Sequence, residues 1–209
     1  MRLFLTAVSG IAWTIVYIEA IRLGFKQKTY AMPLVALALN IGWEVFYGAH
    51  AMTGDIDTQA VVNVVWALFD LVIVYTYFRF GRSEMPSFLS QPVFVAFSLL
   101  VFASGFLVQR FFIVEFDWSA AARYSAFLQN LLMSGLFIAM FAARRGLRGQ
   151  SLTIAVAKWL GTLAPTIVFG VMENSPFILT LGILCSVFDL AYIGLVLWAK
   201  RNPQALAAT

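Results

Sequence analysis

Seven runs of apolar residues, at about 3–22, 30–52, 58–79, 91–110, 121–143, 152–172 and 177–199, fill almost the whole chain. Each is close to the ~20 residues that an α-helix needs to cross a bilayer. Few folds are open to such a chain, because inside lipid every backbone amide must be satisfied within a helix or a closed barrel. Barrel strands run to ~10 residues with period-two alternation, which these uninterrupted runs lack. The sequence predicts an all-α membrane protein, seven transmembrane helices in one domain over residues 1–209. Composition agrees: 62% of residues are hydrophobic and 11% charged, unlike an ordinary water-soluble domain. The first run is read as a retained span, because it exceeds a signal-peptide core and lacks a small-residue cleavage pattern.

The basic residues fall at, near or beyond the ends of the runs, with Lys158 alone well inside one. Arg22, Lys26 and Lys28 follow the first, Arg79 and Arg82 the third, Arg144, Arg145 and Arg148 the fifth, and Lys200 and Arg201 the seventh. Arg2, Arg110 and Arg123 are left for the opposite side. By the positive-inside rule the N-terminus is outside and the C-terminus cytoplasmic. The excess of 14 Lys+Arg over 10 Asp+Glu is therefore topogenic, and nucleic acid is not an expected partner. A faint repeat also shows: Phe69-Asp70-Leu71 recurs as Phe188-Asp189-Leu190, and the basic stretch after the first span as that after the fifth. Units four helices apart share an orientation, so a 3+1+3 pseudo-repeat is a possible architecture.

The informative residues are acids inside the spans, where a carboxylate costs about 2.5–3.5 kcal/mol and needs a partner, a cavity or a proton. Glu44, Asp70 and Asp189 lie about 12, 18 and 20 Å from the outer ends of their runs, a placement that would let them line one cavity. Asn40, Trp43, Glu44 and Tyr47 share one stripe of the second helix. Asn63, Trp66 and Asp70 do so on the third, and Cys185, Asp189 and Tyr192 on the seventh. Such residues either tie helices together or build a polar pocket; spacing alone leaves both open. Gln129, Asn130 and Ser134 either extend that pocket or act as interhelical hydrogen bonders. Lys158 and Glu19 are expected to snorkel to the cytoplasmic surface. Pro165 is expected to kink the sixth helix. Glu173 and Asn174 read as loop residues, and His50, Asp55 and Asp57 as an exposed outer turn, not a metal site.

Several chemistries are excluded. A lone cysteine, Cys185, forms no intramolecular disulfide, and a lone histidine, His50, no His-rich metal site. Retinal needs a lysine deep in the seventh span, whereas Lys200 lies at its end. Ionising a prenyl diphosphate calls for an aspartate-rich Mg²⁺ cluster and basic phosphate ligands, absent from the apolar runs. What remains is carboxylic acids among many rings, from 20 Phe, 7 Tyr and 6 Trp. A desolvated carboxyl can serve as an acid at neutral pH, and ring faces stabilise a developing cation.

Asn40-Ile41-Gly42-Trp43-Glu44-Val45-Phe46-Tyr47, then Trp66-Ala67-Leu68-Phe69-Asp70 and Phe188-Asp189-Leu190-Ala191-Tyr192, together resemble the integral-membrane terpene cyclases of fungal meroterpenoid and indole-diterpene pathways and their bacterial relatives. Asn130, Met133-Ser134, Gly149-Gln150-Ser151, Ile154-Ala155, Lys158 and Gly161-Thr162 are similar to that family as well. The resemblance implies a seven-helix, metal-independent, cofactor-free cyclase of a bacterial cytoplasmic or fungal endoplasmic-reticulum membrane. It would protonate a terminal epoxide or olefin of a lipophilic prenylated molecule and guide cationic ring closure. It also implies catalytic carboxyls at Glu44 and Asp189. Asp70 as a third acid, with Asn40, Trp43, Tyr47, Asn63, Trp66 and Tyr192 as substrate-binding residues, is inferred from helical faces. Two other readings compete: a 3+1+3 small-solute transporter using the same acids, and a scaffold whose acids serve packing alone.

The charge asymmetry makes a topological prediction. Cysteines placed at Asp55 should react with an impermeant thiol reagent from outside, and cysteines beside Arg148 should not; the reverse pattern would overturn the orientation.

Overall fold

The computed structural model describes residues 1–53 and 58–204; Asp55 and Asp57 of the expected outer turn lie outside them. Among the described residues there are seven α-helices and no strand. They are α1 (Arg2–Gln27), α2 (Leu34–Ala51), α3 (Thr58–Phe80), α4 (Gln91–Glu115), α5 (Trp118–Arg144), α6 (Leu152–Pro165) and α7 (Pro176–Arg201). A 3₁₀ turn, Gly81–Glu84, follows α3, and α6 continues as a π-helix over Thr166–Met172.

Local sequence explains the boundaries. Side-chain oxygens of Ser90, Asp117, Ser151 and Ser175 accept hydrogen bonds from the first free backbone N–H groups of α4, α5, α6 and α7. Pro92 and Pro176 stand in first turns, where a missing N–H costs nothing. Lys28 and Arg145 close α1 and α5 in the left-handed conformation, with φ of 51° at both.

Six of the seven helices are long and apolar enough to cross a membrane. Of the seven transmembrane helices expected, six meet that description; the exception is α2, 18 residues long and the bearer of Asn40 and Glu44. Asn40 and Glu44 are tolerated on this otherwise apolar helix because it packs against α3, α4 and α5. Large side chains such as Leu100, Phe111, Ile183 and Val187 point outward and are exposed, while Asn40, Glu44, Asp70, Lys158 and Asp189 are buried. This inversion suits lipid as solvent, and the protein is a multi-pass membrane protein.

The packing has a recurrent pattern. α3 packs on α1 and α2, α7 packs on α5 and α6, and the two groups meet through α1 against α6 and α2 against α5. Exchanging α1, α2, α3 for α5, α6, α7 maps these contacts onto one another. α4 stands apart, against α2 and α5.

One end of the bundle is tied shut. Glu84 pairs with Arg144 at 2.7 Å and Arg148 at 3.4 Å, and accepts a hydrogen bond from Thr29. The Arg144 guanidinium also lies 4.3 Å from the Tyr30 ring centre. Gly149, at φ +69°, is required there, since a Cβ would stand 2.7 Å from the Tyr30 carbonyl oxygen. Three loops are thereby joined, and arginines that read as topogenic charges also hold the fold together.

The α2/α4 contact depends on Gly105, where an added Cβ would lie 2.5 Å from the Ala38 carbonyl oxygen. Because that neighbour is backbone, Gly105→Ala must push the helices apart. The expected cost is about 1–3 kcal/mol, measurable as lost folded protein on heating in detergent; an unchanged melting curve would refute the close contact.

Candidate active site

At the opposite end of the bundle α1, α2, α3, α5, α6 and the π-helix enclose a cavity of about 380 Å³, within the range of small-molecule sites. It opens where Thr6 and Ser119 are exposed and closes on the buried residues Tyr17, Asn40, Gln129 and Thr162. Rings line it: Trp13, Tyr17, Trp43, Trp66, Phe127 and Phe169. The indoles are anchored, since Trp43 Nε1 donates to the Ala122 carbonyl at 3.0 Å and Trp66 Nε1 to Thr14 Oγ1 at 3.1 Å. Trp13 fits because Gly161 faces it; a Cβ there would be 2.9 Å from the indole.

The buried polar groups form a network centred on Asn40. Its Nδ2 donates to the Tyr17 hydroxyl oxygen and, at 2.8 Å, to Asp70 Oδ2. Its Oδ1 accepts from Gln129 Nε2 at 3.4 Å, and Gln129 Oε1 accepts from Gln109 Nε2 at 2.7 Å. The Tyr17 hydroxyl in turn donates to Glu44 Oε1 at 3.4 Å. Five helices are linked, and each bond strengthens its neighbours where water is absent. Glu44 Oε2 and Asp70 Oδ1 have no hydrogen-bond partner among the described residues. Of the two acids, only Glu44 lines the cavity.

The expectation that three acids share one cavity is therefore corrected. Asp70 lies behind Asn40, and Asp189 belongs to another cluster, its oxygens 2.8 and 3.1 Å from Lys158 Nζ. Lys158 also donates to Ser134 Oγ at 2.6 Å. Snorkelling of Lys158 is corrected likewise: its side chain is 0% exposed, because it lies on a face of α6 that packs against the bundle. The cluster sits one turn beyond the cavity wall, since Thr162 follows Lys158 by four residues, Asn130 precedes Ser134 by four, and both line the cavity.

Of the substrate-binding candidates, Asn40, Trp43 and Trp66 line the cavity, whereas Tyr47, Asn63 and Tyr192 are not among its lining residues. Tyr47 packs on Trp43, with ring centres 4.9 Å apart, and meets Trp118 edge-on. Asn63 is buried against Gly48 of α2. Tyr192 donates to Gln150 Oε1 at 2.7 Å, beside Phe137. Among the described residues no group of three His, Cys, Asp or Glu side chains is placed to hold a metal ion.

The sequence reading missed Trp13, Tyr17, Gln109 and Phe127, although Thr6, Trp13 and Tyr17 share a helical stripe and Gln109 interrupts an apolar run. It also counted Arg123 as a loop charge and Glu173 as a loop residue. Glu173 lies 2.7 Å from Arg123 and 2.8 Å from Arg2, and Arg123 also covers the Phe169 ring. Pro165 marks the change from α6 to the π-helix, whose register brings Phe169 and Glu173 together against Arg123.

Comparison with known proteins agrees with this architecture. The chain is 31% identical over 163 residues, 77% of its length and 66% of the other's, to the Pyr4-family terpene cyclase mfmH of Annulohypoxylon moriforme. It is 26% identical to the terpene cyclase pyr4 of Aspergillus fumigatus, covering 93% of this chain and 85% of that one. With the terpene cyclase penB of Penicillium crustosum the identity is 27%, over 93% and 84%. These relatives carry the name of cyclases, and the transporter reading has no support among them. No solved structure matches the chain. A family model matches residues 1–202, and the chain belongs to the Pyr4-like transmembrane terpene cyclases.

Proposed function

We propose that the protein is a membrane terpene cyclase in which Glu44, as a carboxylic acid, protonates a terminal epoxide or olefin of a prenylated, lipophilic substrate. One observation carries this reading: a buried carboxyl group on the wall of a ring-lined cavity, with one oxygen held by Tyr17 and the other unpartnered. The family and its named relatives support cyclisation of a terpenoid. For an epoxide, the proton passes from Glu44 to the epoxide oxygen, the carbon–oxygen bond breaks at the more substituted carbon, and the next olefin closes the ring with its π electrons. Loss of a proton to a carboxylate or water ends the sequence, so the product is an isomer of the substrate. No diphosphate leaves, and a metal is not required for the step. Trp13, Trp43, Trp66 and Phe127 offer ring faces to the migrating cation.

Asp70 acts from behind the wall: it orients Asn40, which orients Tyr17, which holds Glu44. Asp189 is assigned a positioning part as well, through Lys158 and Ser134 beneath Thr162 and Asn130. The contact pattern of the helices supports a 3+1+3 pseudo-repeat with α4 as connector. In that arrangement Tyr17–Asn40–Asp70 and Ser134–Lys158–Asp189 are counterparts, one built around a neutral amide and the other around a cation.

Glu44→Gln should lower turnover by about 10²–10⁴-fold with little loss of folded protein, since glutamine still accepts from Tyr17. Asp70→Asn should have an intermediate effect. Product formation from polyprenylated aromatics and their terminal epoxides, followed as new retention at unchanged mass, checks both; near-normal turnover in Glu44→Gln would remove the central claim.

Asp189→Asn is expected to behave differently, because it strands the Lys158 charge in the bundle. Breaking a buried pair costs about 3–5 kcal/mol, whereas replacing both partners by apolar residues is often neutral. Thermal unfolding in detergent should show a large loss for Asp189→Asn and recovery in the double variant Lys158→Met, Asp189→Leu. A stable single variant would refute the positioning part.

A further inference from the structure

Arg123 is a charged residue on the cavity wall that takes no part in proton delivery. It stands near the opening, and α5 runs from it through Ala126 and Phe127 to Gln129, six residues or about 9 Å along the axis. Gln129 is the residue that meets Asn40. The cavity thus has two polar poles, the Glu44–Asn40–Tyr17 network and Arg123 with Ser119, joined by apolar wall. An amphiphile whose apolar chain reaches Glu44 has its polar end beside Arg123.

The guanidinium is held for such a role. Its face lies 4.7 Å from the Phe169 ring centre, and one nitrogen is 2.7 Å from Glu173. Glu173 is shared with Arg2 at 2.8 Å, so two cations divide one carboxylate. Asp117, which lines a surface depression together with Arg123 and Glu173, accepts from the Ser119 and Ala120 amides at the start of α5. Among the described residues the remaining Arg123 N–H groups have no hydrogen-bond partner. A planar guanidinium with adjacent free donors matches a carboxylate or phenolate oxygen.

We propose that Arg123 is the head-group site of the cavity: it binds the carboxylate or phenolate of a prenylated acid and selects it over a neutral head, with Glu173 as an internal competitor. This rests on the cyclase reading and adds the substrate class.

The test uses a farnesyl-substituted benzoic acid and its methyl ester, added to purified protein in neutral detergent. Binding is read by quenching of tryptophan fluorescence, three tryptophans being on the wall. The Glu44→Gln background slows turnover by the expected factor of about 10²–10⁴, so binding is read before proton delivery. The acid should bind more tightly than the ester, and Arg123→Gln should weaken the acid by about ten-fold or more, the loss of a charged hydrogen bond, while leaving the ester within about two-fold. Glu173→Gln should shift the acid the opposite way, towards tighter binding. Equal loss of acid and ester in Arg123→Gln, with the acid unimproved in Glu173→Gln, would overturn the assignment. If Arg123→Gln fails to fold, Glu173→Gln decides by its sign alone. Binding of neither probe to the parent protein would overturn the cyclase reading and this one together, whereas equal binding of both would overturn only this one.

Discussion

Among the described residues, the charged side chains buried in this bundle are Glu44, Asp70, Asp189 and Lys158, and the way one cation is shared among three acids governs the rest. A carboxylate in a low-dielectric interior must be paired, protonated or bonded to good donors. Lys158 is committed to Asp189, with Ser134 completing its shell. Glu44 and Asp70 are left to neutral donors, the Tyr17 hydroxyl and the Asn40 amide. An ion pair is a sealed unit, whereas an acid held by one neutral hydrogen bond keeps an oxygen available. The allocation of one lysine thus separates an acid locked in an ion pair from two acids that each keep an unpartnered oxygen among the described residues.

The same division runs between the two ends of the molecule. At one end Glu84, Arg144, Arg148 and Tyr30 bind three loops into a clamp. At the other, the cavity remains open, and the carboxylate shared by two arginines there, Glu173, is 27% exposed against 11% for Glu84. The π-helix after Pro165 contributes to that opening. Proline removes a backbone donor, the chain widens its turn, and the altered register sets Phe169 and Glu173 against Arg123.

Much of this was legible in the chain. Seven helices follow from the apolar runs, and the stripe Asn40, Trp43, Glu44 was readable because a helix repeats its face every three to four residues. That stripe lines the cavity, as does Trp66. Lys158 was misread because its depth along α6 is a property of the sequence, whereas the direction it faces depends on which helices surround it. Tyr47, Asn63 and Tyr192 share stripes with cavity or acidic residues, yet a stripe about 100° wide touches more than one neighbour. Tyr17 escaped notice since a lone tyrosine in an apolar span is chemically unremarkable until Asn40 and Glu44 come within reach.

The sequence by itself determined the solvent, the helix count and the inventory of intramembrane acids, because hydropathy and turn chemistry act over short stretches. Tertiary structure alone decided which acid meets a cation and which meets a cavity. Pairing of Lys158 with Asp189, separated by 31 residues, and of Asn40 with Gln129, separated by 89, arises from helix contacts that no local pattern encodes. Hydrogen bonds act over about 3 Å, so the rotation and offset of each helix, set by glycines such as Gly105 and Gly161, selects the partners.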